Sequence, residues 1–283
     1  MSNWFKTMVL FVALGALLMV IGGAVAGRAG VAVALLISLG INVFSYWFSD
    51  KIVLMSYGAQ ELTEAEAPRV HAVVAQLSQA AGIPKPRVYR IPETSPNAFA
   101  TGRDPQHAVV AVTDGILQLL DEEELKGVLG HELAHVKHRD ILIGTVAASI
   151  ASAVMFIASM ARWAAIFGGM GGRNDREGGS NPIALLVAAL VAPIAAMLIQ
   201  MAISRSREYG ADEAGARFAG NPYGLASALK KLQTMSMKIP LKASPATAHM
   251  FIIKPFTGGG IFELFATHPP LEKRIARLMA MRG

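Results

Sequence analysis

Four stretches of about 20 residues each, Met8–Gly27, Ala29–Phe48, Ile141–Ala161 and Ile183–Ile203, carry no acidic or basic side chain. That is the length an α-helix needs to cross the hydrocarbon core of a bilayer. No other feature limits the possible folds as strongly: four helices belong in lipid, and everything else must be built from the polar segments between them. The stretches also explain why the chain is 53% hydrophobic and only 16% charged, too apolar for an ordinary soluble domain. They divide it into a hairpin at 1–49, a polar block at 50–140, a second hairpin at 141–204 and a polar block at 205–283. Lys6, the first apolar run and Ala24-Val25-Ala26 also resemble a signal peptide with a small-residue cleavage site. The run is longer than such a core and the next begins almost at once, so the pair reads as an uncleaved hairpin.

Absence of cysteine rules out disulfides and thiolate ligands, leaving histidine and carboxylates to hold any metal. The net charge of +6 suits a protein lying against anionic headgroups. No run of Lys and Arg with interleaved aromatics is present, so nucleic acid is not an expected partner.

Local signals organise the first polar block. Thr63-Glu64-Ala65-Glu66 has the form of a capping box opening a helix that stops near Gly82. Pro84 and Pro86 introduce a strand at Arg87–Ile91. Phe99–Thr101 and Ala108–Val112 are further strands, separated by the turn Gly102-Arg103-Asp104-Pro105. Asp121 caps a helix running through Arg139, with Glu122-Glu123-Glu124 first and Lys137-His138-Arg139 last, in accord with the helix dipole. Gly168–Ser180 reads as a flexible loop between the last two spans.

On the Asp121-capped helix lies His131-Glu132-Leu133-Ala134-His135. Residues four apart share a helix face, so both imidazoles can address one metal ion, with Glu132 beside them as a base for water. A catalytic zinc needs a third protein ligand. His138 is about 10 Å from His131 along the axis at 1.5 Å per residue, too far to share the ion. The metzincin spacing fails as well, because Gly and His are required where His138 and Ile141 stand. Glu208 is the stronger candidate: two crossings separate it from His135, which returns it to the same side of the membrane. Asp212, one turn later, could accept the second N–H of a zinc histidine. The plainer reading makes Glu208 and Asp212 surface acids paired with Arg205 and Arg207.

Four ordered motifs go further. His131–His135, Glu208-Tyr209-Gly210-Ala211-Asp212, Pro96-Asn97-Ala98-Phe99-Ala100-Thr101-Gly102 and Thr267-His268-Pro269-Pro270 together resemble the HtpX family of bacterial membrane zinc endopeptidases, related to the CAAX prenyl proteases. The resemblance covers essentially the whole chain. It implies one zinc ion per chain held by His131, His135 and Glu208, with Glu132 as general base. It also implies an edge strand, Asn97 to Thr101, that aligns substrate backbone; without it, Asn97 could equally be a turn former. His268 becomes the candidate donor to the oxyanion. Arg274 is the runner-up, better read as an ion-pair partner of Asp212 or a structural charge. His71, His107 and His249 have no spacing that recommends them.

The expected architecture is a mainly α membrane protein, with four transmembrane helices plus a cytosolic α+β, gluzincin-like zinc peptidase domain. The implied partners are the bilayer and protein substrates, misfolded or damaged membrane proteins among them. A site-2-type intramembrane protease would bury the motif in an apolar span, whereas charged residues flank it here. A transporter or scaffold would mark a substrate path with charged or polar residues inside its spans; no charged residue stands there, and Gln200 lies near one end. Lys and Arg near the span ends favour one side by six to four, which places both polar blocks in the cytosol of a bacterial inner membrane. If the helices run on unbroken, His135 and Glu208 lie about 8–9 Å beyond the ends of their spans.

Overall fold

The computed structural model describes residues 3–141, 205–238, 252 and 269–281. The second hairpin, the Gly168–Ser180 loop, His249 and His268 lie outside that set, as does all of Lys242–Gly260 except Ile252. The chain divides into two compact units, Met1–Trp47 with Val146–Ala202, and Phe48–Thr145 with Ile203–Gly283.

In the first unit, helical structure runs through α1, Asn3–Ser56, yet the segment doubles back. Gly27 has φ +58, a left-handed conformation in which a Cβ is strained. A Cβ on Gly22 would fall 2.8 Å from that of Ala34, and one on Gly15 lies 3.1 Å from Ser38 Oγ. In a straight helix Gly15 and Ser38 would be about 34 Å apart. The segment therefore reverses at Gly27. Small residues make the seam: Gly30, Ala34 and Ser38 recur every fourth position and meet Gly15 and Gly22. Large apolar side chains point outward instead, with Leu36 at 70% exposure and Val33, Ile37 and Leu39 similarly bare. Among the described residues no helix is long and apolar enough to cross a membrane; the side chains of α1 are described only in part.

The second unit is conventional, with its apolar residues inside. Its sheet has the order β1 (Gln60–Glu61), β2 (Arg87–Ile91), β4 (Val109–Thr113), β3 (Ala98–Thr101). β2 and β4 are parallel, and the two edge strands are antiparallel to their neighbours. Strand β4 is buried on both faces, which is why it reads as an uninterrupted Val-Val-Ala-Val-Thr run. Val110 and Val112 join Val88, Leu77, Leu129 and Leu133 under the helices. Val109 and Ala111 join Phe99, Ile91 and the end of α1 at Val53 and Leu54.

Two of the expected helix boundaries shift. The Thr63–Glu66 box does form, with Thr63 N–H donating to Glu66 Oε2 at 2.9 Å, but it closes a turn. Helix α2 starts only at Pro68 and runs to Ala81. Proline keeps the preceding residue out of the helical region, and Ala67 accordingly has φ −139 and ψ 64. Helix α4, Glu122–Lys137, begins as expected on a capping box in which Asp121 and Glu124 bond each other's backbone N–H, both at 3.0 Å. It ends two residues early: His138 caps it, exposed, and Arg139 takes the left-handed conformation at φ +58. The helix does not run unbroken toward Ile141, so the ruler estimate for His135 does not hold. Two further elements had no clear signal in sequence, the two-residue β1 and the short helix α3, Asp114–Leu119, capped by Thr113. Helices α5 (Arg205–Ala219), α6 (Pro222–Lys238) and α7 (Leu271–Met279) complete the unit.

Candidate metal centre

Helix α4 is held from several sides, and glycines decide how closely its neighbours approach. Gly127 faces the backbone of Leu225 in α6, where a Cβ would come within 2.4 Å of its nitrogen. Glu124, buried beneath, accepts from Ser227 Oγ at 2.7 Å and from Lys231 Nζ at 2.6 Å. One turn further, α4 crosses α5 almost backbone to backbone. A Cβ on Gly215 would lie 2.5 Å from the His131 nitrogen, and one on Gly130 would lie 2.7 Å from the Gly215 carbonyl oxygen. Glu208, Asp212 and Gly215 follow the i, i+4, i+7 spacing of a single helix face. The glycine crossing thus draws Glu208 and Asp212 of α5 onto the histidines of α4.

Three of the donors converge. His131 Nε2 is 3.2 Å from His135 Nε2 and 3.7 Å from Glu208 Oε2, and His135 Nε2 is 3.6 Å from Glu208 Oε1. Bonds of about 2.0–2.2 Å from a tetrahedral ion put neighbouring donors about 3.3–3.6 Å apart. Behind the histidines, Asp212 Oδ1 lies 2.9 Å from His131 Nδ1 and Asp140 Oδ2 lies 3.2 Å from His135 Nδ1. The first contact is close but off the N–H axis, so His131 Nδ1 makes no well-aligned hydrogen bond. With carboxylates at both Nδ1 atoms, the two Nε2 atoms present lone pairs to each other, an arrangement that calls for a cation between them.

Charge makes the same case. Glu132, Asp140, Glu208 and Asp212 are all buried. Against these four carboxylates stand two guanidiniums, Arg274 and the nine-tenths buried Arg207. A divalent ion would balance the set, and without one, protons do so. Burial, only partly opposed by His135 and the Ala100 N–H, pushes the Glu132 carboxyl up to about 7. At His135 burial works against charge, but Asp140, Glu208 and Glu132 outweigh it and push the ring up to about 9. His131 is held below its ordinary value by burial. Burial would raise Asp212, but Arg274 and His131 overcome it and hold the carboxyl at about 2.

The other sequence candidates fall into place around this centre. Glu208 and Asp212 are each 3% exposed, so the reading as surface acids fails. Arg274 donates to both Asp212 oxygens, at 2.8 and 2.7 Å, and to the Ile252 carbonyl at 3.0 Å, which makes it the ion-pair partner rather than an oxyanion donor. Glu132 turns toward the sheet and accepts from the Ala100 N–H at 2.9 Å. Thr113 N–H donates to the Asn97 carbonyl, so by alternation Asn97, Phe99 and Thr101 address β4 while the backbone of Ala98 and Ala100 faces away from the sheet. Asn97 does more than shape a turn, because its Oδ1 accepts from the Ile252 N–H at 3.3 Å. His71 bonds the Leu62 carbonyl and His107 bonds Asp104, both structural roles. His268 lies outside the described residues.

Asp140 had no sequence signal. Five residues from His135 it would sit on another face of a continuous helix, and only the left-handed turn at Arg139 returns it beneath the ring. The two glycines of the crossing were equally silent, since nothing in either helix marks its partner.

Two histidines one turn apart, a glutamate beside the first and a carboxylate from a second helix define the site of a metal-dependent peptidase. Residues 64–282 match Peptidase family M48, and the chain belongs to that family. A protease HtpX homolog of Desulfatibacillum aliphaticivorans is 57% identical over 282 residues, covering 100% of this chain and 91% of the relative. Another, from Desulforapulum autotrophicum, is 58% identical over 278 residues, with 98% and 90% covered. A third, from Aquifex aeolicus, is 54% identical over 264 residues, with 93% and 87% covered. The likeness to HtpX drawn from the four motifs therefore stands. Among solved structures, S. mikatae Ste24p shares the fold at TM-score 0.53 and 16% identity, over 98% of this chain and 63% of the Ste24p chain. This chain thus spans less than two thirds of Ste24p.

Proposed function

We propose that the chain is a zinc endopeptidase anchored in a bacterial inner membrane, with its catalytic unit on the cytosolic face. The observation that carries the zinc assignment is the donor set. Two imidazole nitrogens and a carboxylate oxygen all lie within 4.8 Å of one another, with no cysteine thiolate available in the chain. Membrane anchoring is supported by the inverted α1 hairpin, small residues at its seam and large apolar ones outside, and by Tyr46, Trp47 and Phe48 gathered near Lys51, an interfacial pattern. The charge-free runs at Ile141–Ala161 and Ile183–Ile203 add the sequence argument for a second hairpin.

When bound, the ion supplies Lewis-acid chemistry for a water and the scissile carbonyl. The chain's own residues do the rest. His131, His135 and Glu208 hold the ion, and Asp212 keeps His131 in position with its charge fixed by Arg274. Glu132 takes the proton from the attacking water and passes it to the leaving amine. Extended substrate backbone would run along the outer edge of β3, reading Ala98 and Ala100, with the Ala100 N–H changing partner from Glu132 to substrate. His268 follows in the chain as the proposed oxyanion donor. Segments of misfolded or damaged membrane proteins are the proposed substrates, in keeping with a site tethered to the bilayer.

The deciding experiment compares Glu132→Gln with wild type for metal content and for cleavage of casein and a membrane protein in detergent. Retained zinc with cleavage reduced at least 10³-fold is expected. Cleavage at the wild-type rate would sink the mechanism.

A further inference from the structure

The centre treats its two histidines alike in outline. Behind His131 stand Asp212 and then Arg274; behind His135 stand Asp140 and then Arg207. The first chain contains residues from motifs already tied to the family, whereas the second contains none. We propose that Asp140, backed by Arg207, is the positioning residue that sets the tautomer and orientation of His135 for the metal. This rests on the metal-site reading above.

Three observations converge on it. His135 Nδ1 lies 3.2 Å from Asp140 Oδ2, a hydrogen bond in which the ring N–H donates and Nε2 is left with its lone pair toward His131 and Glu208. Deprived of that acceptor, the imidazole is free to carry its proton on Nε2, where it cannot ligate. Second, Asp140 reaches the ring only because Arg139 adopts φ +58, a conformation that costs a residue with a Cβ of order 1 kcal/mol or more. Asp140 is itself only 9% exposed, so the turn spends conformational energy to hold a carboxylate out of water beside the ring.

The third observation is Arg207. Its side chain is nine-tenths buried, yet Nε, Nη1 and Nη2 make no hydrogen bond, and its ion pair is a long 3.8 Å contact from Nη1 to Asp140 Oδ1. A guanidinium buried at such a cost is explained by the charge it faces. Arg207 interacts with Asp140 and with Glu208, its neighbour in the chain, and so places positive charge behind the carboxylate that bonds His135. Asp140 has two oxygens and uses one for each neighbour.

The test uses the full chain purified in detergent and stripped of metal, titrated with zinc against a chromophoric chelator and separately loaded with Co(II) for its visible spectrum. Asp140→Ala is expected to weaken zinc 10–100-fold and to alter the Co(II) bands. Asp140→Asn keeps an oxygen to accept from Nδ1–H and should recover most of that loss. Arg207→Gln should show a several-fold loss, and adding it to Asp140→Ala should cost nothing more. Asp140→Ala binding zinc within twofold of wild type overturns the proposal, as does Asp140→Asn falling as far as Asp140→Ala. Where Asp140→Ala does not fold, Asp140→Asn and Arg207→Gln decide, and wild-type affinity with a wild-type Co(II) spectrum in both overturns it. Wild type and Glu208→Ala are run alongside. If wild type takes up no zinc, or Glu208→Ala takes it up normally, the metal-site reading itself fails; if those two behave as expected, only the role of Asp140 is in question.

Discussion

The α1 hairpin and the catalytic unit solve the same packing problem with opposite materials. In the hairpin, Gly22 and Ala34 face each other at the seam while Leu36 and Val33 point away from it. In the catalytic unit the apolar residues are inside, and two close approaches, Gly130 on Gly215 and Gly127 on Leu225, lie beside buried charges. Both regions use glycine to bring backbones together. What differs is what depends on the contact. In the hairpin, a wider seam costs some packing. At the α4–α5 crossing, a wider seam moves two carboxylates away from two histidines.

The sharpest way to test that contrast is one substitution made in both regions. Gly215→Ala and Gly22→Ala each place a Cβ about equally close to backbone, 2.5 Å from His131 N and 2.4 Å from Gly30 O. Gly215→Ala should shift α5 by about 1 Å and lower cleavage on the order of 10²-fold, together with zinc affinity. Gly22→Ala should leave zinc content and casein cleavage within twofold of wild type. Equal losses in metal titration would erase the distinction.

Next in size is a charge on the outside of each region. Leu36→Lys should cost about 2.5–3.5 kcal/mol of membrane insertion, read as the inserted fraction in a translocation assay. Ala80→Lys, at an exposed position of α2, should change the melting temperature of the purified protein little, within about 0.5 kcal/mol. If Leu36→Lys inserts as well as wild type, the outer face of the hairpin is not in lipid.

A smaller and more specific effect follows from the protons held at the centre. Glu132 and His135 are both raised above their ordinary values, to about 7 and about 9. In each case the folded, metal-free protein binds more protons than the unfolded chain, so its stability falls as pH rises. For Glu132 the fall runs from about 4.5 to 7; for His135 it runs from about 6.5 to 9. Below about 6.5 the lowered His131 opposes this fall, so the melting temperature of stripped enzyme should drop chiefly between pH 6.5 and 9, more than that of zinc-loaded enzyme. Zinc binding should release about one to two protons near pH 7 and few above about pH 10, measurable by calorimetry in buffers of different ionisation enthalpy. A release independent of pH would contradict the charge balance.

Periodicity and local chemistry made much of this molecule legible in advance. The Asp121 cap, the His131–His135 face and strand β2 each depend on residues a few positions apart, and each was found where expected. Glu208 and Asp212 were reachable because helical spacing and an even number of apolar runs bring them back to the histidines' side. Where local signals conflicted, the stereochemically stricter one won: Pro68 overrode the Thr63 box and delayed α2. Arg274 was visible as an alternative, though its bidentate grip on Asp212 needs two helices 62 positions apart to meet. Asp140 was hidden altogether, since its place depends on one left-handed residue that no composition rule anticipates at an arginine.

The catalytic unit is assembled from two separate lengths of chain, Phe48–Thr145 and Ile203–Gly283. His131 and His135 emerge from the ribosome first, and Glu208 follows 73 positions after His135, by subtraction of their numbers. At bacterial and other cellular rates of synthesis that interval is roughly 4–15 s. Throughout it the nascent chain holds two of the three clustered donor residues and has no Asp212 or Arg274 behind them. The cluster can close only after the intervening apolar segments have been made. The order of the sequence thus makes the cluster wait for its second half, and a chain stopped at Ala202 is expected to bind zinc far more weakly than one carrying residues 205–281.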